Sequence, residues 1–119
     1  MTMTPQEFFT KTVQHLRKQG HRALGADGRC AYRAPNGDMC AIGCHIPDEL
    51  YDPQMEGKNF VHLLLFSPLA AKLQPVFQGV PQQLIERMQI THDSMSSLPV
   101  LTEAAFARVA ADFRLEVPE

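Results

Sequence analysis

Apolar positions recur with a helical period in four stretches of the chain. In "TPQEFFTKTVQHLRKQG", Phe9, Val13 and Leu16 fall on one face, with Phe8 beside them. Thr4 suits the N-cap, Pro5 the first helical position, and Glu7 completes a capping box. Arg17 and Lys18 stand at the end where the helix dipole favours cations, and Gly20 is a left-handed stop. The pattern predicts a helix over residues 5–19. "SPLAAKLQPVFQG" predicts a shorter one, capped by Ser67, with Pro68 at its first position and kinked or divided at Pro75. "VPQQLIERMQITHDSM" carries Leu84, Ile85, Met88 and His92 on one stripe, extended by Met95. "SSLPVL" breaks the chain, and "TEAAFARVAADFRL" predicts a last helix, capped by Thr102, with Phe106, Val109, Ala110 and Phe113 on its apolar face.

Between the first two helices the period changes. "APNG" suits a type I turn, with Pro35 at its second position and Gly37 left-handed to form a bulge. That register sets Ala34 against Asp38, Tyr32 against Cys40 and Cys30 against Ile42. Cys30, Tyr32, Cys40, Ile42 and Cys44 then share one face, and Arg29, Ala31, Arg33, Met39 and Ala41 the other. A slip by one residue would mix the faces, so the bulged register is preferred. The next segment, "IPDELYDPQMEGKNF", is broken by Pro47, Pro53 and Gly57, and reads as irregular with one helical turn. The expected architecture is a single α+β domain over residues 1–119. It is mostly helical, with about four helices and one antiparallel β-hairpin near residues 29–44.

Composition narrows the function classes. The chain has 119 residues, enough to bury a core without disulfides. Net charge is −2, which argues against a nucleic-acid binder. The longest apolar run, "FVHLLLF", is too short to span a bilayer, and "MTMTPQEFFTKT" has no signal-peptide pattern. Three cysteines fit reduced thiols better than a secreted disulfide framework. A cytoplasmic protein is the expectation.

The chemistry-bearing residues admit several readings. Cys30, Cys40 and Cys44 pack as small hydrophobes if the hairpin is covered. As zinc ligands they would need a fourth from His62 or His92, because His45 points to the opposite face of an extended strand. The C-x9-C-x3-C spacing lacks the C-x2-C knuckle of structural zinc sites. As a nucleophile, one cysteine would pair with His92; Asp93 is its neighbour but points about 100° away on a helix, so it would not readily orient the ring. His15 reads as a histidine near an apolar helix face. Asp48, Glu49, Asp52 and Glu56 could serve as paired carboxylates, although a solvated, turn-rich loop is the preferred reading. Arg33, with Arg29 and Met39, forms a candidate partner surface, because Arg and Met are enriched at interface cores; the plainer reading pairs Arg33 with Asp38 or Asp48.

The stretch "CAYRAPNGDMCAIGCHIPDELYDPQMEG" resembles a pattern of small uncharacterised proteins from bacterial genomes, phages and prophages: C-x-Y-R, a glycine turn, C-A-I-G, I-P-D, then Y and E-G. "VQHLRKQGHRAL" and "LIERMQITHD" are similar to segments flanking that pattern. The resemblance implies a mobile-element origin and brings no catalytic residues. The sequence favours a cytoplasmic protein that binds another protein, with no cofactor. The alternative is an enzyme or zinc protein using Cys30, Cys40 or Cys44 with His92.

Overall fold

In the computed structural model, which describes residues 3–95 and 98–119, the capping box forms as the residues dictate. The Glu7 amide donates to Thr4 Oγ1 at 3.0 Å, and the Thr4 amide donates back to Glu7 Oε1 at 2.9 Å. Helix α1 runs Pro5–Gln19 and ends at Gly20, whose φ of 77° is the left-handed stop. It buries Phe8, Phe9, Val13 and Leu16. The other helices are α2 (Phe60–Leu65), α3 (Ala70–Phe77), α4 (Gln82–Asp93) and α5 (Pro99–Phe113). α1 packs on α4, α4 on α5, and α2 on α3. The core between them holds Phe8, Phe9, Leu63, Leu73, Leu84, Met88 and Phe106, all fully buried. None of the described helices is long and apolar enough to cross a membrane.

Several boundaries differ from the sequence reading for local reasons. α2 lies on the run noted only for its apolar character; Asn59 caps it by accepting from the Val61 amide at 2.8 Å. α3 begins at Ala70, with Ser67 instead bonding the Leu69 amide at 3.1 Å. It accommodates Pro75 on an exposed face, where the missing N–H leaves a carbonyl near solvent. α5 starts at Pro99, a favoured first position, so Thr102 lies inside it and does not cap it. The break expected across residues 96–101 falls partly outside the described residues.

The expected β-hairpin is overturned, and with it the α+β class: the described residues contain helices and no strand. Around the turn, Ala34 donates to the Asp38 carbonyl at 2.8 Å and Cys40 to the Tyr32 carbonyl at 3.2 Å. Gly37 is left-handed at φ 94°. Pairing stops at the isolated Arg33–Met39 bridge. A continuing ladder would send the Tyr32 amide to the Cys40 carbonyl. The Glu56 carboxylate takes that amide at 2.8 Å and the Arg33 amide at 3.0 Å. The Cys40 carbonyl accepts from the Cys44 amide at 3.2 Å as the chain coils into a 3-10 turn, Gly43–His45. Further 3-10 turns occupy Asp48–Leu50 and Pro53–Met55. Competing partners for both ends of the next rung therefore end the hairpin.

The coiling also dissolves the two expected faces. Ala31 and Ala41 are buried along with Tyr32, Cys40 and Ile42, while Cys30 and Cys44 are half-buried. A second isolated bridge, Leu24–Cys30, ties the chain after α1 to the cysteine segment. The tail returns to α1, where the Gln6 amide group accepts from the Glu116 N–H at 2.9 Å and donates to its carbonyl at 2.8 Å.

Candidate functional site

A cleft of about 620 Å³ opens between residues 25–35, residues 56–60 and the C-terminal half of α4. Its walls include Arg29, Cys30, Tyr32, Arg33, Glu56, Lys58, Gln89 and Asp93. The volume lies in the range of small-molecule sites.

Two of its lining residues, Cys30 and Asp93, form a cluster of three with the buried His92. Cys30, His92 and Asp93 bring one donor atom each to within 4.8 Å of one another, the one group of potential metal ligands so close among the described residues. His92 is fully buried. Its Nε2 accepts from the Ala23 amide at 3.0 Å, so the ring proton sits on Nδ1 and is donated to Asp93 Oδ1 at 2.9 Å. Asp93 therefore does hold the ring, contrary to the helical-angle argument. Both residues sit in the last turn of α4, where their side chains bend toward each other, and Gln89 adds a bond to the same oxygen at 3.3 Å. Burial first, and then the Asp93 carboxylate, push the Cys30 thiol above its usual range, against a smaller opposing effect of Arg22.

This geometry bears on both thiol readings. A cysteine nucleophile needs an imidazole lone pair to take its proton, and on His92 the Ala23 N–H occupies it. A metal on Nδ1 would move the ring proton to Nε2, facing that same N–H. Ligating histidines ordinarily donate outward to an acceptor, so the surrounding polarity is the reverse of what the donor set requires. The other two cysteines stand apart from the cluster. Cys40 is in the core with Sγ accepting from the Gly43 amide at 3.2 Å, and burial pushes its thiol up to about 12. Cys44 directs its thiol to the Ala41 carbonyl at 3.5 Å and is likewise pushed up to about 12 by burial.

The arginine surface is also redistributed. Arg33 turns inward along the 46–51 segment, pairing with Asp48 Oδ1 at 2.7 Å, donating to the Ile46 carbonyl at 2.7 Å, and lying 4.8 Å over the Tyr51 ring. Arg29 is exposed at the cleft wall. Met39 is half-buried, with its amide donating to Gln19 at 2.9 Å and its carbonyl bonded to His15 at 2.8 Å. Three of the four acidic residues have local partners: Asp48 pairs with Arg33, and Asp52 caps the turn that follows it through the Gln54 amide at 2.8 Å. Glu56 accepts from the Tyr51 hydroxyl at 2.6 Å besides the two amides. Sequence reasoning missed Glu56 as an organiser of the cleft; the Gly57 turn after it was the only local sign. His45 is buried, stacked 4.5 Å from Phe8, with Nε2 2.7 Å from Thr12 Oγ1.

Compared with known proteins, the chain matches no family model, no curated protein and no solved structure.

Proposed function

We propose that the protein acts by binding another protein, as a cytoplasmic accessory factor of the phage or prophage kind that its central motif resembles. The observation that carries this reading is Ile90, which is 60% exposed on α4. It stands between two grooves, the first mixing apolar residues with Gln82, Glu86 and Gln89, the second mainly apolar. One, of about 270 Å³, includes Val61, Leu64 and Ile85; the other, of about 260 Å³, includes Met95, Leu101 and Ala105. Leu101 is 55% and Val100 71% exposed. A ridge of large apolar side chains between grooves is the form of a protein-contact surface, and single inserted side chains would fill each groove. Ile90 and Leu101 replace Arg33 as the expected anchors, because Arg33 is engaged within the chain.

The test uses the full chain as bait against a host lysate, with Ile90→Asp and Leu101→Asp as separate variants. Both positions are exposed, so the helical circular dichroism should persist. Capture of a discrete partner by the parent, lost in both variants, is the expected result. Capture unaffected by either substitution would overturn it.

A further inference from the structure

Along α4, Glu86, Ile90 and Asp93 stand at positions i, i+4 and i+7, so they share one face over two helical turns, about 10 Å of axis. All three are exposed, and all three line the groove of about 270 Å³. That lining includes no Lys or Arg, and the lining of the groove of about 260 Å³ beside Ile90 includes no charged residue. Among the described residues, neither carboxylate forms an ion pair with Lys or Arg. Glu86 accepts from Gln82 at 3.4 Å, and Asp93 accepts from Gln89 at 3.3 Å and from the neutral His92 ring. Neutral donors leave both negative charges in place. Arg87, next to Glu86, turns to Asp112 on α5 at 2.8 Å, and Arg22, beside Cys30, lines neither groove. The face therefore presents an apolar side chain between two negative charges, with a groove on either side.

We propose that the occupant of this face is a basic amphipathic segment of another protein. Its Lys or Arg residues, about two helical turns apart, lie beside Glu86 and Asp93, and its apolar side chains enter the grooves flanking Ile90. The proposal rests on the protein-contact reading of this surface and names the chemistry of the partner. Charge decides among the occupants. A second copy docked by a two-fold axis through Ile90 would lay the patch on itself and bring the carboxylates of both copies together with no cation in the grooves. Anionic lipid and nucleic-acid phosphate meet the same repulsion. A basic segment matches the apolar grooves and the charges at once, and its charge pairs fix its register on α4.

The test titrates the full chain into a fluorescein-labelled helical peptide of about 14 residues, with leucines at i, i+3, i+4 and i+7 and lysines beside them. A counterpart carries glutamate in place of each lysine. Fluorescence polarisation should show the basic peptide binding at least about tenfold more tightly than the acidic one. Ile90→Ser should weaken the basic peptide about tenfold. The Glu86→Gln/Asp93→Asn double variant should reduce the preference between the peptides to less than about threefold. Glu49→Gln, an equal change of charge at an exposed position outside both grooves, should leave it unchanged. Circular dichroism of each variant checks that the helices persist. Equal affinity for the two peptides that still falls in Ile90→Ser would overturn the basic partner and leave the contact surface standing. Binding of neither peptide, or binding indifferent to Ile90→Ser, would count against both. A concentration-dependent dimer in sedimentation, abolished by Ile90→Ser, would give the face to a second copy and also overturn the proposal.

Discussion

Gly43 lies with its α-carbon against the main chain of Tyr32. A β-carbon built there would overlap the Tyr32 carbonyl oxygen and stand 2.8 Å from its carbonyl carbon. Neither atom is the end of a flexible side chain, and Tyr32 is pinned on both sides, by its amide on Glu56 and its hydroxyl on the Lys58 carbonyl at 2.5 Å. Gly43→Ala should therefore cost about 3 kcal/mol or more. Thermal unfolding followed by circular dichroism should show a midpoint lowered by at least about 10 °C. A shift within 2 °C would mean the 3-10 turn yields freely.

His45 ties stability to pH. Burial, with Lys11 and His15 nearby, depresses its folded pKa to about 3, against an ordinary value of 6.5. Above pH 6.5 the ring is neutral in both states and contributes no pH dependence. Between 6.5 and about 3 the unfolded chain takes a proton that the folded chain refuses, so stability falls with pH, and below about 3 the loss levels off. The full effect is on the order of 5 kcal/mol. Chemical denaturation across that window should give a steeper acid loss for the parent than for His45→Phe, which keeps a ring stacked on Phe8. Parallel curves would show that His45 is protonated without cost in the folded state.

The three thiols should separate in labelling experiments. Cys30 lines the cleft and should react first, though slowly, because Asp93 and burial hold its thiol protonated. Cys40 is fully buried and should react only through opening of the core. Asp93→Asn removes the carboxylate while keeping an acceptor for His92, and leaves Arg22 beside the thiol. Cys30 alkylation at pH 8 should rise severalfold. Mass mapping that finds Cys40 modified first, or no acceleration in Asp93→Asn, would contradict this arrangement.

What could be read from the sequence was whatever is decided within a few residues. The Thr4–Glu7 box and Gly20 define α1, and Leu84, Ile85, Met88 and His92 mark the inner stripe of α4. Cys40 and Ile42 are covered as their apolar character suggested. The hairpin failed because its decisive partner, Glu56, lies 24 residues beyond Tyr32, outside the reach of turn chemistry. The role of Asp93 was missed for a related reason. Its neighbour His92 is fixed by the Ala23 amide, 69 residues away, and that contact settles which nitrogen carries the proton. The α5 boundary was misplaced by giving Thr102 the capping role when Pro99 was already a good first residue.

Between α1 and α2 the chain owes its shape to contacts that span long intervals of sequence. The Ala23 amide rests on α4, and the Tyr32 and Arg33 amides rest on a carboxylate just before α2. Such a segment has little local preference to guide it. Its Ala23 anchor needs α4 in place, and its Tyr32 and Arg33 anchors need the stretch around Glu56 folded back on it, so loosening either contact should open the cleft before the helical core unfolds.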